Sequence, residues 1–307
     1  MAAVRAAPEF AGMAGVSVPV ISGVYGGPTG AHVFIIDAFT TGPFTGNPAG
    51  VVVSRSEPSS DWMQAFAAEL GFAETAFAVP ESDAVRLRWF TPTAEVDLCG
   101  HATLAAAGAM WLLPGTSPGP IAFKTRSGTL VARQASEPGV IELDFPREDA
   151  TRLEDSSQPE TLSAALGLAG RPAAVAANRF DLLVELPDEA SVRSLIPDFA
   201  TIAQLPWRGL IVTAEAAPAT RETTGADFVS RFFAPAVGVD EDPVTGSAHC
   251  ALGPWWAERF GRRELTGLQA SRRSGIVRVR VEERRVQLGG TAHVVVRGRL
   301  GPADPGK

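Results

Sequence analysis

Two stretches of this chain spell one arrangement twice. The first reads Trp89-Phe90-Thr91-Pro92, an acidic loop, Gly100-His101-Ala102 and an Ala-rich run. The second reads Phe232-Phe233-Ala234-Pro235, an acidic loop, Gly246-Ser247-Ala248 and another apolar run. Phe90 and Phe233 are 143 positions apart and Gly100 and Gly246 are 146 apart, so the second loop is 3 residues longer. Further on, Arg126-Ser127-Gly128 recurs as Arg273-Ser274-Gly275, each opening a strand-type run. One match carries nothing, but three in the same order imply two halves of one architecture. Two copies point to a pseudo-symmetric pair of α+β domains, each wrapping strands around a buried helix, rather than to a solenoid.

The local signals agree. Short apolar runs predict strands at His32–Phe39, Ala49–Val53, Ala76–Val79, Val85–Phe90, Ile121–Thr125, Thr129–Arg133 and Val140–Phe145. Helical spacing with a glycine stop predicts a helix over Asp61–Leu70, and the Pro-free Ala-rich run over His101–Trp111 predicts a buried one. In the second half, strands are expected at Ala173–Ala177, Leu182–Leu186 and Leu210–Thr213, with helix at Thr161–Leu168 and from Ser191 toward Ala203. The acidic stretch Asp149–Pro159 reads as a linker. The expected organisation is a tail at 1–30, domains at 31–149 and 150–300, and a tail at 301–307. A chain of 307 residues exceeds what one hydrophobic core usually serves.

Composition removes several classes. A net charge of −7 argues against a nucleic-acid partner, which calls for a basic surface. Arg278 and Arg280 alternate with Val277, Val279 and Val281, the period of a half-buried strand with a solvated face. Two cysteines, Cys99 and Cys250, make neither a disulfide framework nor a C-x-x-C metal spacing. No apolar stretch is long enough for a membrane helix and no convincing secretory signal opens the chain, so a reducing, cytoplasmic setting is expected.

The candidate site lies at the two loop–helix junctions. Helix N-termini carry unpaired N–H groups and partial positive charge, and glycine allows close approach, so Gly100 and Gly246 suit a carboxylate. The plainer reading is ordinary helix capping, by Ser247 in particular. His101 stands at the first helix start, Ser247 at the matching place in the second, and Asp242 in the loop before Pro243-Val244-Thr245. A Ser–His–Asp hydrolase is disfavoured because Thr245-Gly246-Ser247-Ala248 lacks the final glycine of a nucleophile elbow. Glu74, in Gly71-Phe72-Ala73-Glu74-Thr75-Ala76-Phe77, has apolar neighbours. Desolvation there would raise a carboxyl pKa toward neutrality and suit proton transfer. A Glu at a strand edge facing water is the equal alternative.

Taken together, Asp37-Ala38-Phe39 with Gly46-Asn47-Pro48-Ala49-Gly50, the Glu74-Thr75-Ala76-Phe77 run, Trp89-Phe90-Thr91-Pro92 with Asp97-Leu98-Cys99-Gly100-His101, and Asp240-Glu241-Asp242-Pro243-Val244-Thr245-Gly246-Ser247 resemble the PhzF-like family, which is similar in fold to diaminopimelate epimerase. The resemblance covers nearly all of residues 31–300. It implies an α+β fold of two diaminopimelate epimerase-like domains, each a strand barrel around a central helix, with the active site between them. It implies Glu74, His101, Asp242 and Ser247 as catalytic residues and Gly100, Gly246, Thr245 and Asn47 as substrate contacts. It further implies a small unsaturated amino or hydroxy carboxylate as substrate, a role in secondary metabolism, no metal or organic cofactor, no membrane partner and a homodimer. The related epimerases use two cysteines; Cys99 stands at the first position, while the repeat puts Thr245 at the second. A Cys99-dependent epimerase and a non-catalytic binding protein are the alternative readings.

Overall fold

The computed structural model describes residues 30–154, 161–168 and 170–300. The expected tails up to residue 29 and from 301, and positions 155–159 of the expected linker, lie outside the described residues. In chain order the elements begin with β1 (His32–Ala38), β2 (Asn47–Val53), α1 (Ser60–Leu70), β3 (Thr75–Pro80), β4 (Val85–Phe90) and β5 (Glu95–Val96). There follow α2 (Gly100–Trp111), β6 (Ile121–Thr125), β7 (Gly128–Gln134), β8 (Val140–Pro146), β9 (Thr151–Arg152) and α3 (Leu162–Ala165). The remainder comprises β10 (Ala174–Ala177), β11 (Asp181–Glu185), α4 (Glu189–Arg193), α5 (Phe199–Ile202), β12 (Gly209–Glu215), α6 (Pro218–Thr224) and β13 (Phe228–Phe233). Last come α7 (Gly246–Phe260), β14 (Glu264–Gln269), β15 (Gly275–Val281) and β16 (Arg285–Arg299).

The chain divides into two units, one holding residues 30–44, 48–144 and 289–300, the other 45–47 and 145–288. The crossing therefore falls at 144/145, inside β8, rather than in the polar stretch after residue 149. A second crossing occurs within β16, whose residues from 289 onward belong with the first unit.

In the first unit the hydrogen-bonded path runs β1-β2-β3-β4-β6-β7-β8-β16 and returns to β1, closing a barrel of eight strands. Closure satisfies every strand edge, which an open sheet leaves exposed. The short β5 pairs with β4 outside this path. α2 packs on β1, β3 and β7 and is buried from His101 through Ala107. A helix buried on all sides has to be apolar all round, and small side chains let strands approach it. At Gly108 even a methyl group would come within 3.0 Å of the Ala292 Cβ. Outside the barrel, α1 starts at an N-cap, Ser59, which accepts from the Trp62 N–H, and stops at Gly71 with φ of 68°. Its Met63 and Ala67 pack with Val52, Phe77 and Phe90.

In the second unit the path runs β9-β10-β11-β12-β13-β14-β15 and on to the start of β16, an open path among the described residues. Its pairings repeat the first unit's. There, β2–β3 is parallel, β3–β4 antiparallel, β4–β6 parallel and β6–β7 antiparallel. Here, β11–β12 is parallel, β12–β13 antiparallel, β13–β14 parallel and β14–β15 antiparallel. α2 leaves the loop after β4, and α7 leaves the loop after β13. The two Arg-Ser-Gly runs open β7 and β15. The expected alternation holds in β15, where Val277, Val279 and Val281 are buried and Arg280 is exposed. α7 packs on β14 and β15, and carries Pro254 in its interior. A proline there cannot donate to the carbonyl four residues back. The Cys250 carbonyl instead accepts the Glu148 N–H at 3.2 Å, so the lost helical bond is replaced from outside.

Candidate active site

In the first unit, Glu74 is the last residue before β3, on the turn from α1. Gly50 in β2 lets this turn come close: a Cβ there would lie 2.6 Å from Leu70 Cδ1 and 2.9 Å from Thr75 Oγ1. The Glu74 side chain keeps 20% of its surface exposed, and its Oε2 is 3.3 Å from Nε2 of His101, which is buried in the first turn of α2. Burial lowers the His101 pKa to about 3, so the imidazole is neutral at neutral pH. The contact is thus a hydrogen-bond-range pairing of a carboxyl group with an uncharged ring, not an ion pair. Cys99 is the N-cap residue of α2, and its Sγ is 3.6 Å from His101 Nδ1. No N-cap side chain bonds the first N–H groups of α2, whereas Ser59, Asp188 and Asp198 cap α1, α4 and α5.

In the second unit, the acidic loop before α7 is held from several sides. The Asp242 carboxylate accepts from Asn47 Nδ2 at 2.8 Å and from Thr245 Oγ1 at 2.5 Å. Gln269 in β14, fully buried, donates to the Asp242 carbonyl at 2.7 Å and accepts the Thr245 N–H at 2.8 Å. Burial raises the Asp242 pKa to about 6, against the lowering effect of Thr245, Asn47 and the Arg208 charge. Ser247 is not the cap of α7. Thr245 holds the N-cap position, without a side-chain cap bond, and Ser247 lies in the first turn. The Ser247 hydroxyl accepts from Arg208 Nη2 at 3.0 Å. The Arg208 guanidinium also donates to both oxygens of the buried Asp181, at 2.9 and 2.5 Å.

Each predicted residue therefore has a definite place. Glu74, Gly100 and His101 come together in the first unit, with Cys99 beside them. Asp242, Thr245, Gly246 and Ser247 come together in the second. Asn47 is fully buried, and its amide nitrogen donates to Asp242 and to the Val244 carbonyl, the latter at 2.9 Å, so it supports the loop. The Arg273-Ser274 pair fixes the preceding residue: Arg273 Nε donates to the Gly46 carbonyl at 2.8 Å and Gly46 N–H to the Ser274 carbonyl at 2.6 Å. Sequence reasoning missed Arg208, Asp181 and Gln269. It also passed over His249, whose Nδ1 lies 2.8 Å from the Thr245 carbonyl and whose pKa burial lowers to about 4.

The sequence matches the phenazine biosynthesis-like protein family over residues 36–298. A protein of Halalkalibacterium halodurans named an uncharacterized isomerase is 45% identical over 269 residues, covering 87% of this chain and 97% of its own. A crystal structure of a phenazine biosynthesis protein of the PhzF family from Enterococcus faecalis superposes with a TM-score of 0.81 at 37% identity, covering 88% of this chain and 99% of that one. A probable proline racemase from Agrobacterium radiobacter, at 9% identity and a TM-score of 0.57 over 88% of this chain and 93% of that one, shares the fold. Fold and relatives thus define an isomerase of the diaminopimelate epimerase-like fold. Within that class, the chain belongs to the phenazine biosynthesis-like, or PhzF, family.

Proposed function

We propose that the chain is a cofactor-independent isomerase that moves a proton, and with it a double bond, on a small unsaturated amino or hydroxy carboxylate, with Glu74 as the general acid–base. The observation that carries this reading is the Glu74 carboxylate 3.3 Å from the neutral, buried His101 at the uncapped start of α2. Glu74 takes a proton from a carbon made acidic by an adjacent unsaturated system and returns it to another carbon. His101, as a neutral hydrogen-bonding ring, orients Glu74 or a polar group of the substrate. N–H groups at the start of α2 stabilise the carboxylate or the enolate charge that develops. Asp242 and Ser247, each held by neighbours in its own unit, are assigned to substrate orientation and to a second proton. The substrate class and these roles rest on the side-chain chemistry together with the family resemblance, and the expected homodimer is part of the same reading.

A Cys99-dependent epimerase is the second reading, favoured by one observation: the Cys99 thiol lies within 4.8 Å of both Glu74 and His101. Against it, the matching position in the second unit is Thr245, whose hydroxyl is engaged by Asp242.

The test is proton NMR in deuterium oxide with a panel of unsaturated carboxylates. Glu74→Gln should lose about 10²–10⁴-fold in turnover or deuterium uptake, the usual scale of general acid–base catalysis. Turnover that survives Glu74→Gln and disappears in Cys99→Ser would move the assignment to the epimerase.

A further inference from the structure

Glu74 and His101 have work in the proposed reaction; the thiol beside them has none. Cys99 and His101 are both buried, the Cys99 sulfur is 3.6 Å from Nδ1 and 3.9 Å from Nε2 of His101, and His101 Nε2 is 3.3 Å from Glu74 Oε2. One sulfur, one nitrogen and one carboxylate oxygen, all within 4.8 Å of one another, form a mixed donor set. Around a tetrahedral zinc ion, bonds of about 2.0–2.3 Å put neighbouring donors roughly 3.3–3.6 Å apart. The nitrogen–oxygen edge already fits. The sulfur–nitrogen edge fits through Nδ1, and through Nε2 it is a few tenths of an ångström long. Glu74, partly exposed and on a turn, closes the set, its oxygen within 4.8 Å of the sulfur.

We propose that Cys99, His101 and Glu74 form a three-donor site for a thiophilic divalent metal ion, Zn²⁺ above all, and that its occupation switches the enzyme off. The donor types select for such an ion: a thiolate and an imidazole disfavour Mg²⁺ and Ca²⁺, which prefer oxygen. Binding forms a metal–sulfur bond, and the thiol proton leaves to solvent. Three protein donors leave a fourth position for water. The ion is not a cofactor here. It ties up the carboxylate that must move the proton, so the inhibitory half of the proposal rests on the Glu74 reading.

Co²⁺ added to chelator-stripped full-length protein tests the site without any substrate. One ion per chain should bind, with a thiolate-to-cobalt charge-transfer band and the intense visible bands of a tetrahedral centre, and Zn²⁺ should displace it. Cys99→Ser should abolish the charge-transfer band, Glu74→Gln should keep the band while weakening binding at least tenfold, and Cys250→Ser should change neither. A band that persists in Cys99→Ser, or weak octahedral spectra alone, would overturn the site. Zinc-edge X-ray absorption on the wild type gives an answer that needs no variant: one sulfur neighbour is expected, and a shell of oxygen and nitrogen only would refute the assignment. If the metal binds through Cys99 while isomerisation continues unchanged, the inhibitory role is wrong and the site stands. If no carboxylate turns over, the functional reading fails, and the cobalt spectra still decide the site.

Discussion

Asp242→Asn should make the second unit more stable as pH rises, relative to wild type, although it removes a charge from the candidate active site. Burial lifts the Asp242 pKa to about 6 in the folded protein. In the unfolded chain an aspartate titrates near 3.9. The difference of roughly two units is worth about 3 kcal/mol, at 1.36 kcal/mol per unit. The sign follows from proton binding. Between pH 4 and pH 6 the folded state holds a proton that the unfolded state has released, so raising pH favours unfolding. The stability associated with the protonated carboxyl is present below about pH 4 and is lost as pH passes through about 6. Asparagine cannot ionise and loses nothing over that interval.

The assay is chemical denaturation of both proteins from pH 4 to pH 8. Any cost of rearranging the bonds to Thr245 and Asn47 is the same at every pH and appears as a constant offset. The buried histidines titrate in both proteins and cancel in the difference. What remains should rise by about 3 kcal/mol in favour of the variant across this range. For a unit of roughly 150 residues that corresponds to about 6–12 °C in melting temperature. Two parallel curves would refute the reasoning, because they would mean that Asp242 ionises in the folded state as it does in water.

Two further substitutions probe the packing behind the site. Arg208→Ala should destabilise the protein by about 3 kcal/mol, because Asp181, only 1% exposed, loses its two-pronged partner. The estimate is at the low end for a buried pair because the guanidinium is partly exposed, and Asp181→Asn in the same chain should restore part of the melting temperature. Gly253→Ala should cost about 1–3 kcal/mol by overpacking, since its Cβ would sit 2.6 Å from Val279 Cγ1 and 3.2 Å from Val281 Cγ2. Thermal melts of Gly253→Ala with and without Val279→Ala check this, and a single variant as stable as wild type would show that α7 is not pressed against β15.

What could be read from the sequence was set by local signals. Gly71 closes α1, the Pro-free alanines make α2, and the repeated Arg-Ser-Gly runs open β7 and β15. The unit crossing was displaced because the acidic stretch after residue 149 is a stronger local signal than the uninterrupted strand β8 that carries the chain across at 144/145. The return within β16 has no local signature at all, since both of its portions are strand. The supports of the site are hidden in the same way. Asn47 is a substrate contact by family resemblance alone, and no local pattern gives its hydrogen bond to Asp242, 195 residues away. Arg208 and Asp181 are ordinary charged residues 27 positions apart until β11 and β12 are paired in parallel and bring them together.

Desolvation acts on His101 and Asp242 in opposite directions along the pKa scale, and the magnitudes separate their roles. Both are driven toward the neutral form: His101 down to about 3, Asp242 up to about 6. At pH 7, placing a proton on an imidazole of pKa about 3 costs about 5 kcal/mol, and placing one on a carboxylate of pKa about 6 costs about 1.4 kcal/mol. A group that must gain and lose a proton in each turnover works best with a pKa near the operating pH. If the proposed isomerisation needs a second proton carrier besides Glu74, the cost difference favours Asp242. It leaves His101 to orient Glu74 by hydrogen bonding, a role for which a ring that stays neutral across the physiological range is better suited than one that titrates within it.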